Sequence, residues 1–330
     1  MFSSSVLLFW AVATYLITGA AGFIGSSLAR ALLQRGEQVR GLDNFSTGKR
    51  ENLADLGRMD FDEADLLDPA AVAEACRGVD YVFHEAAIPS VPKSVADPAA
   101  SNRANVEGTV NLLIAARDAK VKRVVYAGSS SVYGESPTLP KHEGMPPDPI
   151  SPYAVSKLAG ELYMTSFHRV YGLETVTLRY FNVFGPHQDA DSQYSGVLAK
   201  FIMLMLRGEQ PTIFGDGEQS RDFTYIDNVI AANLLACSAP AAQVAGRVMN
   251  AATGSRITLN ETFEILKQMT GYSGTAHHGP ERKGDIKHSL ADISLAEKLM
   301  GYKPVVGFKE GLFRTVSWYR TQTSKSAVVR

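Results

Sequence analysis

Short apolar runs and stretches with helical apolar spacing take turns along the first half of this chain. Thr14–Thr18, Val39–Asp43, Val79–Ala87, Val121–Gly128 and Thr175–Tyr180 read as strands, with a further short strand ahead of Asp65. Ser26 to Leu33, Asn102 to Lys120 and Tyr153 to Tyr171 carry apolar residues at helical spacing. Strand and helix alternating in this way predict a parallel sheet covered on both faces. Beyond Tyr180 the pattern loosens. Phe181 to Arg221 holds one helical stretch, Val197 to Leu206, and a Gly-Asp-Gly turn at Gly215 to Gly217. Thr224 to Leu235 reads as helical, and Arg247–Ala251 as a strand that rejoins the first sheet. The remainder, to about Tyr319, forms a smaller lobe.

The first run ends in a glycine-rich turn that opens directly into a helix. Gly19 permits the tight turn, Gly22 lets backbone amides approach a pyrophosphate, and Gly25 lets the helix pack close to the strand. Helix-start N–H groups then hold the phosphates. The second strand ends in Asp43, eighteen residues after Gly25, where a carboxylate suits the ribose hydroxyls of NAD and repels the 2′-phosphate of NADP. Together these features predict a Rossmann-type doubly wound α/β fold, with a smaller, interleaved C-terminal α/β substrate lobe. Residues 14–181 and about 223–254 form the NAD-binding domain; about 182–222 and 255–320 form the second lobe. Asn44, Ser46, Thr47 and Gly48 follow the second strand and suit an adenosine ribose, while Asp65 and Leu66 suit the adenine edge. Ala86 and Ala87 are small residues at a strand's carboxyl end, where a cofactor lies against backbone. His84 and Glu85 face opposite ways on that strand, and both read as structural.

Tyr153 and Lys157 stand four apart on one helix face. An ammonium there favours the phenolate and is expected to lower the Tyr153 pKa, suiting it to take a carbinol proton. The spacing is common by chance in a chain with thirteen tyrosines. Its position gives it meaning: one helix beyond a strand that ends in Ser129, Ser130 and Ser131. Ser129 suits a hydrogen bond to the reacting hydroxyl and a proton relay.

Composition adds mainly exclusions. The chain has 330 residues, 45% hydrophobic and 20% charged, with a net charge of −1. No basic excess draws nucleic acid or an anionic membrane. Cys76 and Cys237 lack metal-type spacing and fit a reducing compartment, so a cytoplasmic enzyme without metal is expected. Residues 1–13 are apolar and without a positive charge; they are too short to span a bilayer and lack the basic region of a signal peptide. An upstream-extended start or a loose tail accounts for them, and they stay outside the predicted fold.

The motifs together resemble the extended short-chain dehydrogenase/reductase family, and within it the UDP-sugar 4-epimerases. Its specific blocks are Thr18–Gly25, Asp43–Gly48, Ser129–Gly134, Tyr153–Lys157, Arg179–Pro186, Gly215–Asp227 and Arg282–Asp292. The resemblance implies that Tyr153 takes the proton of the sugar 4-hydroxyl with Ser129 as relay, while Lys157 tunes the phenol and holds the nicotinamide ribose. A 4-keto sugar forms, turns its other face, and receives the hydride back. Phe23, Ile24, Asn105 and Tyr180 join the cofactor set. Asn182, Arg221 and Arg282 are implied to hold the UDP diphosphate, with Asp285 at the uridine side and Ser90, Ser130 and Ser131 near the sugar. An ion pair of Arg221 with Asp222 or Asp227 is the competing reading. Dehydratase and decarboxylase relatives carry an acid among the residues matching Ser129 to Ser131, and this chain does not.

Ser289 aligns with a position that gates the sugar's 2-substituent, and a serine there leaves room for an N-acetyl group. UDP-glucose/galactose and their N-acetyl forms are therefore expected substrates, with UDP-glucuronate as the nearest rival. A non-catalytic NAD-binding scaffold or redox sensor would not need Ser129, Tyr153 and Lys157 together. A homodimer is implied, paired through the Asn102 and Tyr153 helices.

Overall fold

The computed structural model describes residues 12–190, 196–281 and 287–328, with side chains to 323. Seven parallel strands form the central sheet. In chain order six are β1 (Thr14–Thr18), β2 (Gln38–Asp43), β3 (Asp60–Glu63), β4 (Tyr81–His84), β5 (Arg123–Ser129) and β6 (Glu174–Tyr180); the seventh is Arg247–Ala251. Across the sheet the order is Arg247–Ala251, β6, β5, β4, β1, β2, β3. The direction of winding reverses between β4 and β1, the crevice where open α/β sheets bind ligands. Strand faces alternate, so the two sides bury different residues. Ile17, Phe83, Val125 and Leu178 pack toward the helices Phe23–Gln34 and Ile226–Ser238. Leu16, Val82, Val124 and Tyr126 pack toward Pro69–Ala75, Gly108–Asp118 and Pro152–Tyr171. Each fully buried aliphatic side chain is worth about 1.5–3 kcal/mol of transfer free energy. The sheet is thus held from both faces.

Arg247–Ala251 lies beside β6 in parallel register, Asn250 against Arg179, although about seventy residues separate the two strands. The intervening and following residues make short pairings of their own: Val183–Phe184 with Thr224–Tyr225, Ser220–Arg221 with Ile257–Thr258, and Thr212–Phe214 with His277–Gly279. Helices Val197–Leu206, Leu259–Thr270 and Phe308–Val328 pack around them. Asp222 ties these pieces together, its buried carboxylate accepting from Thr253, Gly254 and Ala291. Among the described residues no helix is long and apolar enough to cross a membrane, and no cluster of metal-ligating side chains occurs.

Two elements depart from expectation. The helix expected over 102–120 is three pieces: Pro98–Asn102, a π-helical turn Arg103–Glu107, and Gly108–Asp118. The wide turn carries Asn105 inward. Its Oδ1 accepts the Ile88 N–H at 2.7 Å and its Nδ2 donates to Ser156 Oγ at 2.9 Å. The helix expected from Thr224 begins instead at Ile226, because Thr224 and Tyr225 are spent on a strand pairing.

Candidate active site

The glycine turn is built by close contact with its neighbours. Gly19 has φ +71°, and a Cβ there would sit 2.7 Å from the Ala86 nitrogen, at the carboxyl end of β4. A Cβ on Gly25 would fall 2.2 Å from the Gly19 carbonyl oxygen. Gly22 is the N-cap of the Phe23–Gln34 helix, whose first turn has neither a side-chain cap nor an acid, leaving its amides for an anion. Asp43 is almost wholly buried. Its Oδ2 accepts the Ala21 N–H at 2.9 Å and its Oδ1 the Phe45 N–H at 2.7 Å. Burial pushes its pKa up and the two amide bonds oppose that shift. A carboxylate oxygen has two lone-pair sites, so each can still accept a hydroxyl. The cradle and the acid fit a dinucleotide.

The flanking loops close the same edge. Asn44 Nδ2 donates to Asp65 Oδ2 at 2.7 Å, and Asn44 Oδ1 accepts from the Ser46 N–H, so the polar turn that continues through Thr47 is fastened to the loop after β3. Gly48 lies against Ala21 and the Asp43 carboxylate, where a Cβ would come within 2.7 Å and 3.0 Å. Leu66 is buried; Ala86 and Ala87 remain partly exposed on the crevice side of β4.

Across β5, the Tyr153 helix begins with two hydroxyl caps. Ser151 Oγ accepts the Ala154 N–H at 3.1 Å and Ser94 Oγ accepts the Tyr153 N–H at 3.0 Å, with Pro152 suited to the first turn. Ser94 was not among the expected residues; the Ser90-Val91-Pro92 start of its own short helix is the local signal for that turn. Ser129 Oγ accepts from both the N–H and the hydroxyl of Ser131, which leaves its own proton to donate. Burial pushes the pKa of the Tyr153 phenol up, and Ser129 opposes that shift.

The expected Lys157 effect on Tyr153 is not what the structure shows. Lys157 Nζ donates to the Ala127 carbonyl at 3.0 Å and lies 4.9 Å from the Tyr126 ring centre, so its charge is aimed at β5. Burial lowers its pKa to about 8. The two residues singled out on β4 also part company. His84 is enclosed, with Nδ1 2.7 Å from Thr18 Oγ1 and Nε2 2.8 Å from Thr109 Oγ1, and burial takes its pKa to about 3. That is a structural histidine. Glu85 turns the other way, toward Tyr180 of β6. Tyr180 donates to its Oε1 at 2.8 Å, and burial raises its pKa to about 7 against the opposing charge of Lys157.

Asn182 holds φ +36°, a conformation asparagine tolerates better than most residues, and donates to the Asp222 carbonyl at 3.1 Å. With Arg221, Gln219, Phe214 and Phe223 it lines a cavity of about 240 Å³. Asp222 is engaged by backbone amides and Thr253, and Asp227 pairs with Arg314 at 3.1 Å, so both proposed ion-pair partners of Arg221 have other commitments. Arg221 itself bonds the carbonyls of Ser220 and Lys287. Ser289 pairs its N–H with the Ser220 carbonyl, one residue from Arg221. Ser90 caps the Val91–Ala96 helix by accepting from Lys93, so its oxygen is partly occupied. Ser130 and Ser131 open a short 3₁₀ turn after β5. Arg282 and Asp285 lie outside the described residues.

Fold and site together define an extended short-chain dehydrogenase/reductase. The model of the NAD-dependent epimerase/dehydratase family matches residues 15–252, and the chain belongs to that family, whose cofactor is NAD. The chain is similar to a UDP-glucose 4-epimerase of Thermotoga maritima solved with UDP-glucose, at 39% identity and TM-score 0.90, covering 94% of this chain and 99% of that one. It is 43% identical, TM-score 0.89, to a UDP-N-acetylglucosamine 4-epimerase of Methanobrevibacter ruminantium in complex with UDP-N-acetylmuramic acid, over 94% and 99% of the two chains. A Bacillus cereus UDP-glucuronic acid 4-epimerase, in complex with UDP-glucuronic acid and NAD, matches at 34% identity and TM-score 0.86, over 94% and 99%.

Proposed function

We propose that this chain is an NAD-dependent 4-epimerase of UDP-hexoses, acting on UDP-glucose/UDP-galactose and on the N-acetyl pair UDP-GlcNAc/UDP-GalNAc. One observation carries the reading: Ser129 acts on the Tyr153 phenol at the carboxyl end of β5, and Lys157 of the same helix donates to Ala127 on that strand, which pairs with β4. Similar proteins whose descriptions name UDP-glucose, UDP-N-acetylglucosamine and UDP-glucuronic acid epimerases support it. When bound, NAD supplies a hydride acceptor that can return what it takes. Tyr153 removes the 4-hydroxyl proton and later gives it back, with Ser129 relaying between sugar and phenol. Arg221 and Asn182 grip the diphosphate, the guanidinium fork matching phosphate oxygens in pairs. The anchored nucleotide leaves the sugar able to present either face. Ser129 to Ser131 offer no carboxylic acid for eliminating water, which favours epimerisation over dehydration.

The division of labour follows the chain as 14–181 with about 223–254 for NAD, and about 182–222 with 255–320 for the UDP-sugar. The Pro152–Tyr171 helix exposes Val155, Leu162, Tyr163, Val170 and Tyr171, a heptad-spaced stripe that supports a homodimer through this helix and its Gly108–Asp118 neighbour, which exposes Ile114. Both cysteines are buried and unpaired, which supports a cytoplasmic setting.

The test is purified protein incubated separately with UDP-glucose, UDP-N-acetylglucosamine and UDP-glucuronate, followed by NMR. Inversion at C4 without added NAD is the expected result, and Ser289→Tyr should abolish turnover of the N-acetyl sugar while sparing UDP-glucose. Inversion of UDP-glucuronate alone would move the assignment to a UDP-glucuronate 4-epimerase. No turnover with NAD supplied would leave a cofactor-binding scaffold.

A further inference from the structure

Asn250, near the end of the Arg247–Ala251 strand, is wholly buried, and its side chain bonds three separate stretches of chain. Its Nδ2 donates to the carbonyls of Lys141 and Asp292, each at 2.9 Å. Its Oδ1 accepts the Tyr133 hydroxyl at 2.7 Å. Carbonyl oxygens only accept, so the amide has one orientation and Tyr133 must be the donor at its other end. The backbone N–H of Asn250 goes to Glu143 Oε1 at 2.7 Å, a second hold on the loop that carries Lys141.

Each partner leads to a part of the site. Tyr133 closes the 3₁₀ turn Ser130–Tyr133 that follows Ser129, and its ring centre lies 4.7 Å from the Arg179 guanidinium. Arg179 is in turn bidentate to Glu161 of the helix that carries Tyr153, at 2.9 Å and 2.6 Å. Asp292 ends the stretch from Lys287 that carries Ser289. On one side this stretch is laced to Ser220, through the Ser289 N–H at 3.0 Å, and to the Asp222 carboxylate through Ala291. On the other side Lys141 gives its N–H to Leu290 at 2.7 Å and takes the Asp292 N–H at 2.8 Å. The Lys141 carbonyl thus accepts from Asp292 and Asn250 together, which fills both its lone pairs. Asn250 thereby joins the serine turn to the Ser289 stretch. We propose that it is a positioning residue whose amide fixes the Ser289 stretch against the serine turn, and so sets where the sugar stands relative to Ser129 and Tyr153. The inference deepens the epimerase reading and rests on it for its kinetic consequence. The partners of the amide are neither Arg221 nor Asn182, so the grip on UDP should survive its loss.

The experiment combines hydrogen exchange of the holoenzyme, calorimetric titration with UDP, and steady-state kinetics. Asn250→Ala should speed exchange of the Lys141 and Asp292 amides about tenfold or more, as the loss of buried hydrogen bonds dictates. Its kcat for epimerisation should fall about 10- to 100-fold, the scale of a small misplacement of the reacting group. The Kd for UDP and the content of bound NAD should stay at wild-type values. A general loosening would degrade UDP affinity, NAD content and kcat together, and that result overturns the proposal. So does unchanged exchange at the two amides, or faster exchange with kcat intact. Tyr133→Phe cuts the link to the serine turn and leaves both carbonyl bonds in place. It should lower kcat by less, with Lys141 and Asp292 as protected as in wild type. If Asn250→Ala does not fold, Tyr133→Phe decides the matter, and full kcat in that variant overturns the proposal. A wild type that turns over no UDP-sugar sinks the epimerase reading, while exchange at the two amides still decides whether Asn250 holds the Ser289 stretch.

Discussion

Asp43 reaches back from the end of β2 to the glycine turn, its Oδ2 accepting the Ala21 N–H at 2.9 Å. The residue expected to read the cofactor ribose therefore also shapes the loop expected to hold the pyrophosphate. Asp43→Asn keeps the size and one acceptor but removes the charge. NAD affinity should fall about tenfold or more, in line with the roughly 1.5–3 kcal/mol of a hydrogen bond to a charged group. Discrimination against NADP should shrink at the same time. Calorimetric titration with both cofactors measures the two effects, and an unchanged preference for NAD would show that Asp43 does not set it.

Gly25 sits where a methyl group would meet the Gly19 carbonyl at 2.2 Å, backbone against backbone, with no flexible side chain to yield. Gly25→Ala should lower the melting temperature by several degrees and release NAD on gel filtration. Gly57 has open space around it and serves as the control, with Gly57→Ala expected within about 0.5 kcal/mol of wild type.

Tyr153→Phe removes the phenol while leaving the helix caps at Ser151 and Ser94 in place. The expected loss in kcat is about 10²- to 10⁴-fold, with the KM for UDP-sugar little changed. Steady-state kinetics on the retained holoenzyme makes the comparison. A loss confined to KM would remove Tyr153 from the proton transfer.

His84 ties folding to pH. Its ordinary pKa of 6.5 falls to about 3 in the folded chain. Between those values the unfolded chain binds more protons, so stability rises with pH through the window and is lost as pH falls below 6.5. By pH 5 the linkage amounts to about 2 kcal/mol, at roughly 1.36 kcal/mol per pH unit. Urea denaturation at pH 7 and pH 5 should show the loss, and His84→Gln should flatten it whatever its effect at pH 7.

Much of this was legible in the chain because it is local. The strand Arg247–Ala251 and the helix Val197–Leu206 have the ends that their apolar runs define, and the Gly19–Gly25 turn announces itself by spacing. What escaped depends on distant partners. An apolar period cannot separate a π turn from an α turn, and Arg103–Glu107 takes its form while Asn105 bonds Ile88 and Ser156. Glu85 gains its meaning from Tyr180, ninety-five residues on, and from Asn233 behind it. Strand alternation separated His84 from Glu85 correctly, yet no pattern near β4 reveals the tyrosine that Glu85 meets.

The late return of Arg247–Ala251 to the sheet has a consequence for how the protein is made. On the ribosome, β6 emerges with one edge bare, and its partner follows about seventy residues later, several seconds at roughly 5–20 residues per second. During that interval the nascent chain offers an unpaired strand, six of whose seven residues are buried in the finished fold, to anything that can hydrogen-bond along it. Escorting that edge, rather than assembling two finished halves, is the task that synthesis sets for the cell's chaperones.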